Sequence, residues 1–134
     1  MKTNSGSVII ELPFLPVSVN RAFRTGNRKF FRSDSYEIFK RNVVGELYSQ
    51  GWFTPVPWKS IGVAIWLIPK SRHLFDVDNR AKTLLDAFNK QIWEDDREIV
   101  ELQIVRCFPE ENEKTIVKVY KVAGEYSTNP FKRS

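Results

Sequence analysis

Apolar and polar residues recur with two different periods along this chain, and the switches between them outline its elements. Val8-Ile9-Ile10-Glu11-Leu12 is a β-branched run that predicts a first strand. Pro13 and Pro16 end it, and residues 13–32 read as a long loop with a turn at Gly26-Asn27. Lys29-Phe30-Phe31 adds a short strand after that turn. Tyr36, Phe39, Val43 and Leu47 then recur at helical spacing, predicting about four turns of helix. The helix opens on Asp34 and Glu37, a capping-box-like pair, and Gly51 is its expected stop. The connector from Trp52 to Lys59 carries aromatics that either cover the core or grip a ligand. Ile61 to Ile68 is apolar on both faces (Ile61, Val63, Ile65 and Leu67 against Gly62, Ala64, Trp66 and Ile68), which predicts a central strand.

A second helix is expected over Asn79 to Gln91, capped by Asp78. Ala81, Leu84, Leu85, Phe88 and then Ile92 form its apolar stripe, with Asn79, Lys82, Thr83, Asp86 and Asn89 on the other side. Ile99 to Phe108 reads as a strand, 109–114 as a polar hairpin turn, and Thr115 to Val122 as the partner strand. The order β-α-β-α-β-β predicts a single α+β domain, a mixed β-sheet with two main helices packed on it. Residues 1–122 form that domain, and 123–134, without periodicity, a flexible tail with a basic end.

Composition narrows the chemistry. The chain has 134 residues and is 42% hydrophobic, enough for one domain to bury a core unaided. One cysteine, Cys107, leaves no internal disulfide framework and no Cys-based zinc site. One histidine, His73, argues against a His-rich metal centre or a Ser-His-Asp relay; it is an exposed loop residue, a ligand or a proton-transfer group. With no signal peptide and no membrane-length apolar run, a cytoplasmic, intracellular protein is expected. The net charge of +5 is concentrated between Arg21 and Arg41, where seven basic residues face two acids. That region is either a solvated face or a phosphate-contacting surface, the latter favoured by the interleaved Phe23, Phe30 and Phe31.

The candidate chemistry lies at Phe75-Asp76-Val77-Asp78-Asn79-Arg80-Ala81-Lys82, answered by Asp95-Asp96. In an extended segment Asp76 and Asp78 point the same way, and Lys82 is one helical turn beyond Asp78. Clustered carboxylates resist joint ionisation unless a cation compensates, and hard oxygen ligands suit Mg²⁺ or Mn²⁺. The plainer alternative is that Asp78 is only a helix cap and Asp76 only a turn residue. A calcium EF-hand is excluded, because Arg80, Ala81 and Ala87 stand where that loop needs an acid or amide, a glycine and a glutamate. Lys70, Arg72 and His73 add positive charge beside the cluster.

The pattern Asp76-x-Asp78-Asn79-x-x-Lys82-x-x-x-Asp86, followed by Asp95-Asp96-x-x-Ile99, resembles the RusA family of Holliday junction resolvases. Pro16-x-Ser18-x-Asn20 resembles that family's segment after the first strand, and the likeness runs from about Val8 to Val122. The resemblance implies an α+β fold, a homodimer and Mg²⁺-dependent cleavage of four-way DNA junctions. It implies Asp76, Asp78 and Asp96 as metal-binding catalytic aspartates and Lys82 as the essential lysine, with Asp95, Asn79 and Asp86 in support. The interval between the two acidic halves is a residue shorter than in the best-known member, so Asp96 rather than Asp95 depends on aligning the pair. Asn20, Arg21, Arg24, Arg28, Lys29, Arg32, Lys40 and Arg41 are the expected DNA contacts, branched DNA and a second copy the expected partners, Mg²⁺ the expected cofactor with Mn²⁺ as substitute. A nuclease for flaps or forks, and an inactive junction-binding protein, are the competing readings.

Overall fold

A computed structural model of the chain describes residues 6–18, 23–26, 29–32 and 34–132, with 23–26 and 29–32 described by backbone alone. In chain order the elements are β1 (Ser7–Leu12), β2 (Phe23–Gly26), β3 (Lys29–Arg32), α1 (Asp34–Ser49), β4 (Ile61–Ile68), α2 (Val77–Phe88), a 3₁₀ turn (Asp96–Glu98), β5 (Ile99–Arg106) and β6 (Lys114–Lys121). The expected α+β fold is observed: a four-stranded mixed sheet in the order β1-β6-β4-β5, with both helices on one face.

The two-sided apolar pattern of β4 does what it predicts, because the strand is interior and nearly every residue in it is buried. It pairs antiparallel with β6 from Ile61↔Lys121 to Ile68↔Lys114, and parallel with β5 from Ile61↔Ile99 to Leu67↔Arg106. The expected β5–β6 hairpin is therefore not formed. β5 returns parallel to β4 through α2, as a β-α-β crossover requires, which leaves the other edge of β4 for β6. The segment 107–113 crosses over the end of β4 instead, anchored by Cys107 N–H to Leu67 O at 2.9 Å and Glu110 N–H to Pro69 O at 2.9 Å.

The first helix follows its stripe: Tyr36, Phe39, Val43 and Leu47 are all buried. Gly51 ends it with φ 86°, a left-handed value that favours glycine. The N–H of Trp52 reaches Leu47 O at 2.8 Å and that of Gly51 reaches Tyr48 O at 3.0 Å, the paired bonds of a Schellman stop. Trp52 is buried, so this connector aromatic belongs to the core. The short strand expected at Lys29-Phe30-Phe31 is observed as β3, and part of the loop expected ahead of it is a strand too, β2, the two paired from Phe23↔Arg32 to Gly26↔Lys29. A four-residue strand without apolar alternation, as β2 is, leaves little periodic signal to read.

α2 differs from expectation in its start. It begins at Val77, with Asp76 as the extended N-cap residue (φ −75°, ψ 121°), so Asp78 lies inside the first turn rather than at the cap. Phe75 and Val77 pack against the core and draw the chain into the helix two residues early. Thr83, expected on the polar side, is fully buried. After β6, Val122 N–H bonds Ser60 O at 2.9 Å, and Ser127 donates to Glu101 from an otherwise exposed terminal segment.

Candidate active site

Asp76 and Asp78 share the exposed N-terminus of α2. Asp76 makes no cap bond to the backbone; its Oδ2 accepts from Asn79 Nδ2 at 3.3 Å. Lys82, one turn on, is exposed and has no ion-pair partner among the described residues. Two carboxylates and an ammonium, none of them in an ion pair among the described residues, therefore share this helix end.

The residues around them hold the backbone. Arg106, at the end of β5, donates from Nη1 to the Phe75 carbonyl at 3.0 Å. The guanidinium carbons of Arg80 and Arg106 lie 5.2 and 5.9 Å from the centre of the Phe75 ring, within cation–π range. Arg80 Nη1 also donates to Pro16 O at 2.7 Å, and Thr83 Oγ1 donates to Val17 O at 2.6 Å. These bonds lash the Pro16–Ser18 segment to α2, on the face next to the acids. Sequence reading passed over Arg80, Thr83 and Arg106, since nothing in their spacing announces a long-range bond to a carbonyl.

The second acidic pair divides its labour. Asp95 caps the 3₁₀ turn: its side chain accepts from Arg97 N–H at 2.8 Å, and Glu98 completes a capping box. It also pairs with the Arg97 guanidinium at 3.0 Å, and those bonds hold its carboxyl below the usual aspartate range. Asp96 is exposed, and its Oδ1 accepts from the indole Nε1 of buried Trp93 at 2.6 Å, which orients the carboxylate. Asp95 is thus engaged in structure, and Asp96 is the member of the pair open to a ligand.

The two halves do not meet within one chain. Phe75 is tied to Arg106 at the far end of β5, whereas Asp96 lies just ahead of Ile99 at its beginning. The twelve residues of α2 alone span about 18 Å at the usual helical rise. Among the described residues no group of three or more Asp, Glu, His or Cys side chains is placed to hold a metal ion. Convergence of Asp76, Asp78 and Asp96 inside a single fold, which the sequence suggested, is not what the chain forms. Asp86 lies elsewhere again, its Oδ2 accepting from Tyr36 Oη at 3.1 Å and joining the two helices.

Of the expected DNA contacts, Asn20, Arg21 and Arg28 lie outside the described residues. Arg24 is on β2, Lys29 and Arg32 on β3, and Lys40 and Arg41 on α1, where Arg41 is exposed. No helix among the described residues is long and apolar enough to cross a membrane. No curated relative matches the chain. Residues 13–120, however, match the family described as Endodeoxyribonuclease RusA, a span holding the strapped Pro16–Ser18 segment, both acidic pairs and Lys82. The chain belongs to the RusA family of endodeoxyribonucleases, which act on branched DNA.

Proposed function

We propose that this protein is a Mg²⁺-dependent nuclease that resolves four-way DNA junctions by paired symmetric nicks, working as a homodimer. One observation carries the reading: Asp76, Asp78 and an unpaired Lys82 share the exposed N-terminus of α2. The donor set fits the ion, because Mg²⁺ is commonly held by one or two carboxylates, with water and substrate phosphate filling the remaining positions. When bound, it supplies an activated water and positive charge for the leaving oxygen; Mn²⁺ is the expected substitute. Asn79 steadies Asp76 through its amide, keeping that carboxylate turned to the helix terminus. The Lys82 ammonium offsets charge building on the scissile phosphate oxygens.

A dimer answers two needs at once. One site per chain cannot cut two opposed strands in concert, and a two-fold axis supplies the second. Asp96, too distant to join Asp76 of its own chain, is oriented by Trp93 for a ligand outside it. A two-fold partner that brings its own Asp96 to the α2 terminus completes each site, with Asp76 and Asp78 from one subunit and Asp96 of the partner subunit. The basic residues of 20–41 would then grip the junction arms.

Mixed dimers test the arrangement. Asp78→Asn and Asp96→Asn homodimers should each bind a synthetic four-way junction and fail to cut it with Mg²⁺. In a mixed dimer of the two, shared sites concentrate both lesions in one site and leave the other intact, so single nicks return. Mixed dimers as inert as their parents would sink the shared site, and cutting by the Asp78→Asn homodimer would sink the assignment itself. Flaps, forks and plain duplex assayed alongside separate a junction resolvase from a nuclease for other branched DNA.

A further inference from the structure

A second feature adjoins the acidic terminus. Pro69, Arg72, Leu74, Arg106, Phe108 and Pro109 line an open groove of about 250 Å³ between the β4–α2 connection and the segment that follows β5. Its apolar wall is unusually bare: Leu74 is 72% exposed and Phe108 83% exposed. Its polar rim is cationic, since neither Arg72 nor Arg106 has an ion-pair partner among the described residues, and His73 lies beside them. Glu110, which follows Pro109 in the chain, is paired with Lys114 at 3.4 Å. Arg106 ties the groove to the site by its bond to the carbonyl of Phe75, the residue before Asp76.

An exposed ring flanked by unpaired guanidiniums has the chemistry of a nucleotide site: the ring offers a stacking face to a base, the cations meet phosphates. A second copy of the chain would instead bury two uncompensated cations, at a desolvation cost. Building on the nuclease reading, we propose that this groove receives an unstacked nucleotide of the DNA strand that runs to Asp76 and Asp78. Phe108 stacks on its base, and Arg72 and Arg106 hold the adjoining phosphates. The groove thereby selects DNA with an unpaired or opened nucleotide next to the cleaved bond.

Binding measured without any divalent ion keeps this test apart from cleavage. Fluorescence anisotropy with oligothymidylate and with a four-way junction should show Phe108→Ala binding about tenfold more weakly than the natural protein. Phe108→Trp should restore binding, and the thermal transition of Phe108→Ala should be unchanged because the ring is exposed. Arg106→Gln should weaken binding and lower the salt slope by about one. Failure of the natural protein to cut would overturn the nuclease reading yet leave this binding difference measurable. Unchanged DNA affinity in Phe108→Ala overturns the groove assignment, as does no DNA binding by the natural protein. Conversion of Phe108→Ala from dimer to monomer in sedimentation would give the groove to a second copy instead.

Discussion

Gly62 shows how far one missing side chain can reach. It pairs with Tyr120 across the sheet, and a Cβ built on it would run into the Tyr120 ring and hydroxyl. That ring is held in place by its bond to Glu101 at 2.7 Å, which also raises the Tyr120 pKa; the bond from Ser127, and after it the one from Tyr120, lowers that of Glu101. Gly62→Ala should therefore cost about 1–3 kcal/mol, read as a lower denaturant midpoint at unchanged m. Gly45→Ala is the opposite case: it lies in α1 with nothing within 4 Å of the added Cβ. There the helix preference of alanine should add about 0.5–1 kcal/mol of stability. Asp95 predicts a pH effect of definite sign. Its folded-state pKa is lowered by Arg97, so its contribution is present above the unfolded aspartate value and is lost as the pH falls through the folded one, below about pH 4. Asp95→Asn should flatten that part of an acid-unfolding curve.

Among the elements, α1 was legible from its helical period and β4 from an unbroken apolar run of eight residues. Where elements differ from expectation, the reasons are physical. β2 is too short to show a period, and the partner of β5 is decided by the α2 crossover rather than by anything in β5 itself. The start of α2 departs from expectation because half-buried Val77 packs against the core as the first helical residue, which leaves Asp76 rather than Asp78 at the cap. Thr83 looked polar and exposed; its place in the core is earned by a hydroxyl that satisfies the carbonyl of Val17. Thr83→Val should therefore cost about 1–3 kcal/mol, the price of leaving a carbonyl unpaired. Thr83→Ser, which keeps the donor, should lose less, and the difference between the two in chemical denaturation isolates the strap.

At the scale of the whole molecule, half of the candidate site was legible and half was not. Asp76, Asp78 and Lys82 are neighbours in sequence, and one helix terminus keeps them neighbours in space. Asp96 is separated from them by a helix whose length is plain in the sequence, but whose direction across the sheet depends on the pairing of β4 with β5. Net charge belongs to this scale too: Lys40→Ala and Arg41→Ala should weaken junction binding more at low salt than at high, as titrations at two ionic strengths will show. The length of α2 has one more consequence. With its acids parted by a rigid rod, a lone protomer carries two incomplete halves, and under the shared-site proposal a free chain is harmless to DNA. Specific activity should then collapse on dilution below the dimer dissociation constant, so encounter between subunits, not their synthesis, would arm the enzyme.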